Sequence, residues 1–265
     1  MKQIPTLMFY KDPAADIDGY VRFTVGSRRV AAREWAATAI FEALSGSTLH
    51  EWAASRKACE HLYGRGVSYG VSLPAGTEKL SSTAVVVRRN RHGGLFRFLT
   101  GDCFLLPTRA PLELSVSLRL AAAGVPTPEV IGYVIYPIAG IFARSDFMTR
   151  RLPDGGDFPD LWCNADASSR ETMILKVAEL LRSLAKGGAW HADLNLKNIY
   201  IAGHGSAMTA YLLDVDRVTF PARNDIAILN FKRLARSVRK WRDQRGLDFS
   251  EEMLARLESL AMERF

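Results

Sequence analysis

Two short stretches hold the residues best suited to chemistry: His191-Ala-Asp193-Leu-Asn-Leu-Lys197-Asn198, and Leu213-Asp214-Val-Asp216-Arg217. A carboxylate, an amide four intervening residues later, and a second carboxylate behind the apolar run Tyr211-Leu212-Leu213 are the ingredients of phosphoryl transfer. A triphosphate carries negative charge that Mg²⁺ neutralises, and this hard ion selects oxygen ligands. Asn198 offers a neutral oxygen and Asp214 an anionic one, so these two are the expected metal ligands. Asp193 is left to orient an acceptor hydroxyl and accept its proton. Lys197 stands near enough in sequence to counter charge on the phosphoryl group in transfer. A lone His-x-Asp is usually a buried structural pair. The complete spacing sets this one apart.

These residues need supports on both sides. Upstream, Met173, Ile174, Val177, Leu180, Leu181 and Leu184 recur at helical spacing. Ser168 and Glu171 have the form of a capping box at its start, and Gly187-Gly188 ends it. Downstream, residues 226–245 form an amphipathic helix. Phe231, Leu234, Val238 and Trp241 share one side, and Lys232, Arg236 and Arg239 the other. Asp248-x-x-Glu251 is the expected cap of a short terminal helix.

The first half reads differently. Residues 20–24 are strand-like, the alanine-rich run 30–44 reads as a helix, and 49–62 as a second helix leading into Gly64-Arg65-Gly66. Strands are expected at 67–73 and 84–88, joined by a turn at Pro74-Ala-Gly76. A helix over 112–123 stops at Gly124, because Pro126 and Pro128 forbid its continuation. Strands follow at 130–136 and 140–150, and Leu152-Pro-Asp-Gly-Gly156 reads as the linker between two lobes. The expected domains are an N-terminal extension over 1–48, a strand-rich lobe over 49–152 and a helical lobe over 153–265.

The 265 residues are 48% hydrophobic and 24% charged, which excludes wholesale disorder, a fibrous repeat or a small disulfide scaffold. Residues 125–143 are apolar, but Pro126, Pro128, Pro137 and Glu129 interrupt them, favouring two buried strands over a membrane-spanning helix. Residues 1–11 show no secretory-signal pattern. The 35 Lys and Arg against 28 Asp and Glu give a net charge of +7, which suggests an anionic partner. A nucleic acid, an acidic membrane or a phosphorylated substrate all satisfy that, and no nucleic-acid motif is present. Cys59, Cys103 and Cys163 match neither a zinc spacing nor a disulfide framework, which fits a reducing compartment.

The loop at 191–198 resembles that of the protein-kinase-like superfamily, His-x-Asp-x-x-x-x-Asn, and other landmarks follow in the superfamily's order. Gly64-Arg65-Gly66-x-x-x-Gly70 looks like its glycine-rich phosphate cover. Ala84-Val-Val-Val-Arg88 looks like the strand that ends in a phosphate-binding lysine, and Glu113 like that lysine's partner. Arginine stands at the lysine position, so Arg88 or Arg89 takes that role, or the site is inactive.

A narrower resemblance is to the lipopolysaccharide kinases that act on Kdo or heptose. It rests on Arg88-Arg-Asn-Arg91-His-Gly93-Gly94-Leu, Gly101-Asp102-x-Phe104 and Thr108-Arg109-Ala-Pro-Leu-Glu113. Gly124-Val-Pro126-Thr-Pro128, Asp146-Phe-Met-Thr149-Arg-Arg-Leu-Pro153 and Leu213-Asp214-Val-Asp216-Arg217 add to it, and the match spans about residues 60–220.

The resemblance implies an α+β bilobal protein-kinase-like fold: an antiparallel sheet plus helix in the N-lobe and a small helical C-lobe. It implies ATP and Mg²⁺ as cofactors and a sugar hydroxyl of Kdo-lipid A or a related core as acceptor. ATP is expected at the hinge near residues 151–154, its phosphates near Gly64, Arg65, Gly66 and Arg88, with Glu113 supporting Arg88. His191 is expected to hold the loop. The expected location is peripheral, on the anionic cytoplasmic face of the inner membrane, with basic residues of 88–97 facing the substrate; those of 232–242 read first as a solvated helix face and only second as a substrate surface. No nucleic-acid partner is expected. The rivals are another kinase of the superfamily, with a protein or small-molecule substrate, and an ATP-binding pseudokinase.

Overall fold

Strand β1 (Tyr20–Val25) reverses at Gly26, whose φ of +61° suits glycine, into β2 (Arg28–Arg33). The computed structural model describes residues 17–63, 66–74, 82–90, 102–105, 108–139 and 141–263. The alanine-rich run read as helix from residue 30 therefore begins as strand. Val30, Ala31 and Ala32 pair with a later strand, β7 (Val130–Ala139), opposite Val134, Tyr133 and Gly132. A Cβ on Gly132 would lie 2.6 Å from the Ala31 carbonyl oxygen, so glycine permits the approach. Ladder pairing overrides alanine's helical propensity here. The helix α1 forms only over Ala37–Ala43.

After α2 (Leu49–Ala54) the chain enters β3 (Glu60–Tyr63), where a helix was expected; its residues pair with β4 (Val67–Pro74). Then come β5 (Ser82–Arg89), β6 (Phe104–Leu105), helix α3 (Ala110–Ala122), β7 (Val130–Ala139) and β8 (Phe142–Arg150). Among the described residues these strands form one antiparallel sheet of order β1-β2-β7-β8-β5-β4-β3, with β6 on β8. Phe23, Ile40, Leu44, Leu49, Leu73, Val87, Ile131 and Met148 belong to one buried cluster beneath it. The expected turn at Pro74-Ala-Gly76 lies mostly outside the described residues.

The chain divides into two units: 1–114 with 129–151, and 115–128 with 152–265. The first holds the sheet just described, and β1 and β2 of the presumed extension are strands of it.

The second unit begins within α3. The chain re-enters this unit at Leu152, where the expected linker 152–156 begins, and the last two linker residues open strand β9 (Gly155–Asp157), paired with β11 (Ile199–Ala202). A Cβ on Gly155 would come within 2.0 Å of the Ile201 carbonyl oxygen, which explains a glycine that reads as linker. Helix α4 (Phe158–Asn164) precedes the long α5 (Ala167–Lys186). The N-cap of α5 is Asp166, accepting from the Ser169 N–H at 2.7 Å, and the expected Ser168 cap lies inside the helix. Strand β10 (Trp190–His191) pairs with β13 (Val218–Thr219), and β12 (Thr209–Leu212) with β11. Two helices close the unit, α6 (Ile226–Arg245) and α7 (Glu251–Met262). Ser250, not Asp248, caps α7, and the Asp248 carbonyl instead accepts from Trp162 Nε1 at 2.7 Å. Trp162, Phe249, the apolar face of α5 and the Phe231–Val238 face of α6 share one core.

Candidate active site

In the first unit, β alternation sends neighbouring arginines to opposite sides. Arg88, 36% exposed, donates to the carboxylate of Glu113, which is 4% exposed in the first turn of α3. Its other guanidinium nitrogen reaches Asn90 Oδ1 at 2.9 Å, and the group lies over the Phe147 ring, 4.9 Å from its centroid. Arg89 turns the other way. Its Nε donates to Asp146 Oδ1 at 3.1 Å and one Nη to the Thr48 hydroxyl at 3.0 Å. Asp146 is fully buried and also accepts from the His50 N–H and the Tyr136 hydroxyl, at 2.9 and 3.0 Å. Burial, then the charge of Asp146, pushes the Tyr136 hydroxyl well above its usual range. Of the two arginines, Arg88 has the Glu113 partnership that the kinase pattern asks for, and Arg89 belongs to the framework.

In the second unit, pairing of β10 with β13 lays the loop after His191 beside the segment that carries Asp214. His191 is buried at the junction. Its Nδ1 accepts from the Asp193 N–H at 3.1 Å and its Nε2 meets the Asp214 carbonyl at 2.7 Å. The first contact requires an unprotonated Nδ1, so Nε2 carries the proton and donates. Burial pulls the ring below the usual histidine value, and the Asp214 carbonyl opposes it. The arrangement suits a neutral ring that ties the two segments together.

Asn198 closes the loop. Its Nδ2 donates to the Asp193 carbonyl at 3.1 Å, which directs Oδ1 away from that contact, and its own carbonyl accepts from the Leu213 N–H at 2.9 Å. The Asp214 carboxylate accepts the Asp216 N–H at 3.3 Å. His191, Asp193, Asn198 and Asp214 are thus joined by direct hydrogen bonds. Lys197 points elsewhere: its ammonium lies 3.2 Å from Asp157 and 3.3 Å from Asp160, which raise its pKa against the effect of burial.

Asn198 and Asp214 supply oxygen donors only, which suits a hard divalent cation. Among the described residues no group of three or more His, Cys, Asp or Glu is arranged to hold a metal, so an ion here would take further ligands from phosphates and water. Gly64 and Arg65 lie outside the described residues, as do 91–97. Gly66 precedes β4, and nothing more is assigned to it.

Sequence reasoning missed a polar stripe on α6. Asn230, fully buried, accepts from the His191 N–H at 3.0 Å and donates to the Ala189 carbonyl at 2.8 Å. Arg233 Nε donates to the Ala192 carbonyl at 3.1 Å while a terminal nitrogen pairs with the Asp193 carboxylate. Ser237 accepts from the Leu196 N–H at 3.2 Å. One helix face thereby grips the loop from 189 to 196. An asparagine and a serine inside an apolar stripe were the available signal.

The antiparallel sheet with its helix in one unit and the mostly helical second unit make an α+β fold of the protein-kinase-like class. WaaP, solved in complex with acyl carrier protein, shares the fold at a TM-score of 0.54 and 13% identity, over 89% of this chain and 90% of that one. Residues 52–258 match the model of the lipopolysaccharide kinase (Kdo/WaaP) family, and this chain belongs to that family, kinases that phosphorylate a sugar hydroxyl. It is 26% identical over 208 residues to the 3-deoxy-D-manno-octulosonic acid kinase of Vibrio parahaemolyticus, covering 77% of this chain and 82% of that protein. With the enzyme of the same name from Haemophilus influenzae (strain Rd) the identity is 27% over 213 residues, covering 78% and 86%.

Proposed function

We propose that this kinase transfers the γ-phosphoryl group of ATP to a hydroxyl of 3-deoxy-D-manno-octulosonic acid (Kdo) in the lipopolysaccharide inner core. What supports the acceptor is the common name of the relatives, together with a net charge of +7 suited to an anionic lipid-linked sugar. The observation that carries the chemistry is the hydrogen-bonded set His191, Asp193, Asn198 and Asp214.

In this reading Asp193 accepts the proton of the acceptor hydroxyl as its oxygen bonds to the γ-phosphorus. The bond from that phosphorus to the bridging oxygen breaks, and ADP leaves with the electron pair. Asn198 and Asp214 hold Mg²⁺, which when bound neutralises charge on the phosphates. Arg88, fixed by Glu113, offers its guanidinium to phosphate oxygens, with Gly64, Arg65 and Gly66 as the phosphate cover. Lys197, steadied by Asp157 and Asp160, adds positive charge to the loop. The enzyme works as a peripheral protein on the anionic cytoplasmic face of the inner membrane, where its acceptor is anchored.

The test is incubation of purified protein with labelled ATP, Mg²⁺ and Kdo-lipid A, read by product mass. The expected product carries one additional phosphate on Kdo. Transfer to another acceptor, or stabilisation by Mg-ATP without turnover, overturns the assignment.

A further inference from the structure

Arg233 sits where no loop motif predicts a functional residue. It lies one turn after Asn230 on α6, is 26% exposed, and reaches the proposed base directly. A guanidinium has five N–H donors in a planar fork. Among the described residues Arg233 engages the Ala192 carbonyl through Nε and the Asp193 carboxylate through one terminal nitrogen. Nη1, with both of its hydrogens, is not used in either contact. Asn230 and Ser237 anchor the loop on either side, through bonds to His191, Ala189 and Leu196. Arg233 is therefore not needed to hold the loop's backbone alone, and its charged end lies at the edge of the site.

The acceptor chemistry poses a problem that this residue answers. An acid sugar brings a carboxylate toward a base that is itself a carboxylate, and like charges at short range repel. A cation bonded to the base, with donors to spare, converts that repulsion into a shared attraction. The rigid plane of arginine holds Asp193 on one terminal nitrogen and presents the other to a second carboxylate at a fixed angle, which the single rotating ammonium of lysine does not do.

We propose that Arg233 is the acceptor-acid subsite: it binds the sugar's carboxylate through its unused nitrogen while still bonded to Asp193, and so selects acidic over neutral sugar acceptors. This rests on the Kdo-directed reading above. It adds that discrimination comes from a residue of α6, at the base itself.

The experiment measures kcat/KM with Kdo-lipid A and with the same acceptor after conversion of its carboxylate to the carboxamide. Wild type, Arg233→Met and Arg233→Lys are compared, each checked for folding by its thermal transition. Wild type should prefer the acid form by roughly 10-fold to 100-fold, the span of a charge-assisted hydrogen bond. Arg233→Met should lose that preference, its rate falling far more on the acid than on the amide, chiefly through KM. Arg233→Lys, which keeps charge without the fork, should fall between and remains informative if the methionine variant does not fold. Equal losses on both acceptors would show that Arg233 acts only through Asp193 and would overturn the subsite. Failure of the wild type to phosphorylate Kdo-lipid A at all would instead remove the Kdo reading, and the subsite with it.

Discussion

Two aspartates, each bonded to an arginine, mark opposite uses of the same chemistry. Asp146 in the first unit is fully buried, and Arg89, Tyr136 and the His50 N–H surround it with donors. Asp193 in the second unit is 42% exposed, bonded to Arg233, with its own N–H held by His191. A carboxylate enclosed by donors organises its surroundings. It fixes the start of α2 through His50 and, through Tyr136, whose oxygen accepts the Leu49 N–H at 2.8 Å. A carboxylate that is partly exposed on a loop fixed by its neighbours is able to meet a substrate. The contrast lies in burial.

Breaking the enclosed pair should cost the most stability. Asp146→Ala strands the Arg89 charge and should lower unfolding free energy by about 3–5 kcal/mol, measured by denaturant titration. A loss below 1 kcal/mol would mean that the network is not structural.

The neighbouring arginines sharpen the comparison. Arg89→Lys gives up the fork that spans Asp146 and Thr48 and should cost roughly 1–3 kcal/mol of stability. Arg88→Lys restores the residue usual in the superfamily beside Glu113. It should leave stability nearly unchanged and keep kcat/KM within about tenfold. A reversed pattern, with Arg88→Lys the more destabilising, would exchange the two roles.

Two pH effects are smaller. The pKa of His191 is held below its usual value, so the unfolded chain binds the proton first as pH falls through about 6.5. His191 therefore contributes fully above that pH, and stability declines below it. The difference between wild type and His191→Gln, followed by thermal unfolding from pH 8 to 5, should shrink on acidification. Glu251, exposed between Arg239 and Arg242, has its pKa lowered to about 2 by their hydrogen bonds. Its support is present above the usual carboxylate range and fades as pH falls from about 4.5 toward 2. Glu251→Gln should produce only a slight change at neutral pH, and that change should vanish in acid.

How much of this was legible follows from the range of each interaction. The loop at 191–198 and its helix could be read because their spacing is local. Arg88 and Glu113 were found by order along the chain, but only side-chain placement separates Arg88 from Arg89. Strand β2 was misread because alanine is a good helix former, and the ladder that overrides it involves Gly132, a hundred residues away in sequence. The strand role of Gly155 at the end of the linker was not legible, because its requirement is a distant carbonyl, that of Ile201. Arg233 escaped notice because its partner lies 40 residues upstream. The basic face of α6 reads first as a solvated surface; on it Arg239 and Arg242 bond to Glu251 at the start of α7, a pairing that sequence spacing alone does not reveal.

The most direct measurement is single-turnover transfer from labelled ATP to Kdo-lipid A by wild type and Asp193→Asn, alongside nucleotide binding by thermal shift. The account predicts that Asp193→Asn keeps Mg-ATP stabilisation and loses roughly 10²-fold to 10⁴-fold in transfer rate, the range for removal of a general base. Transfer at the wild-type rate would contradict it.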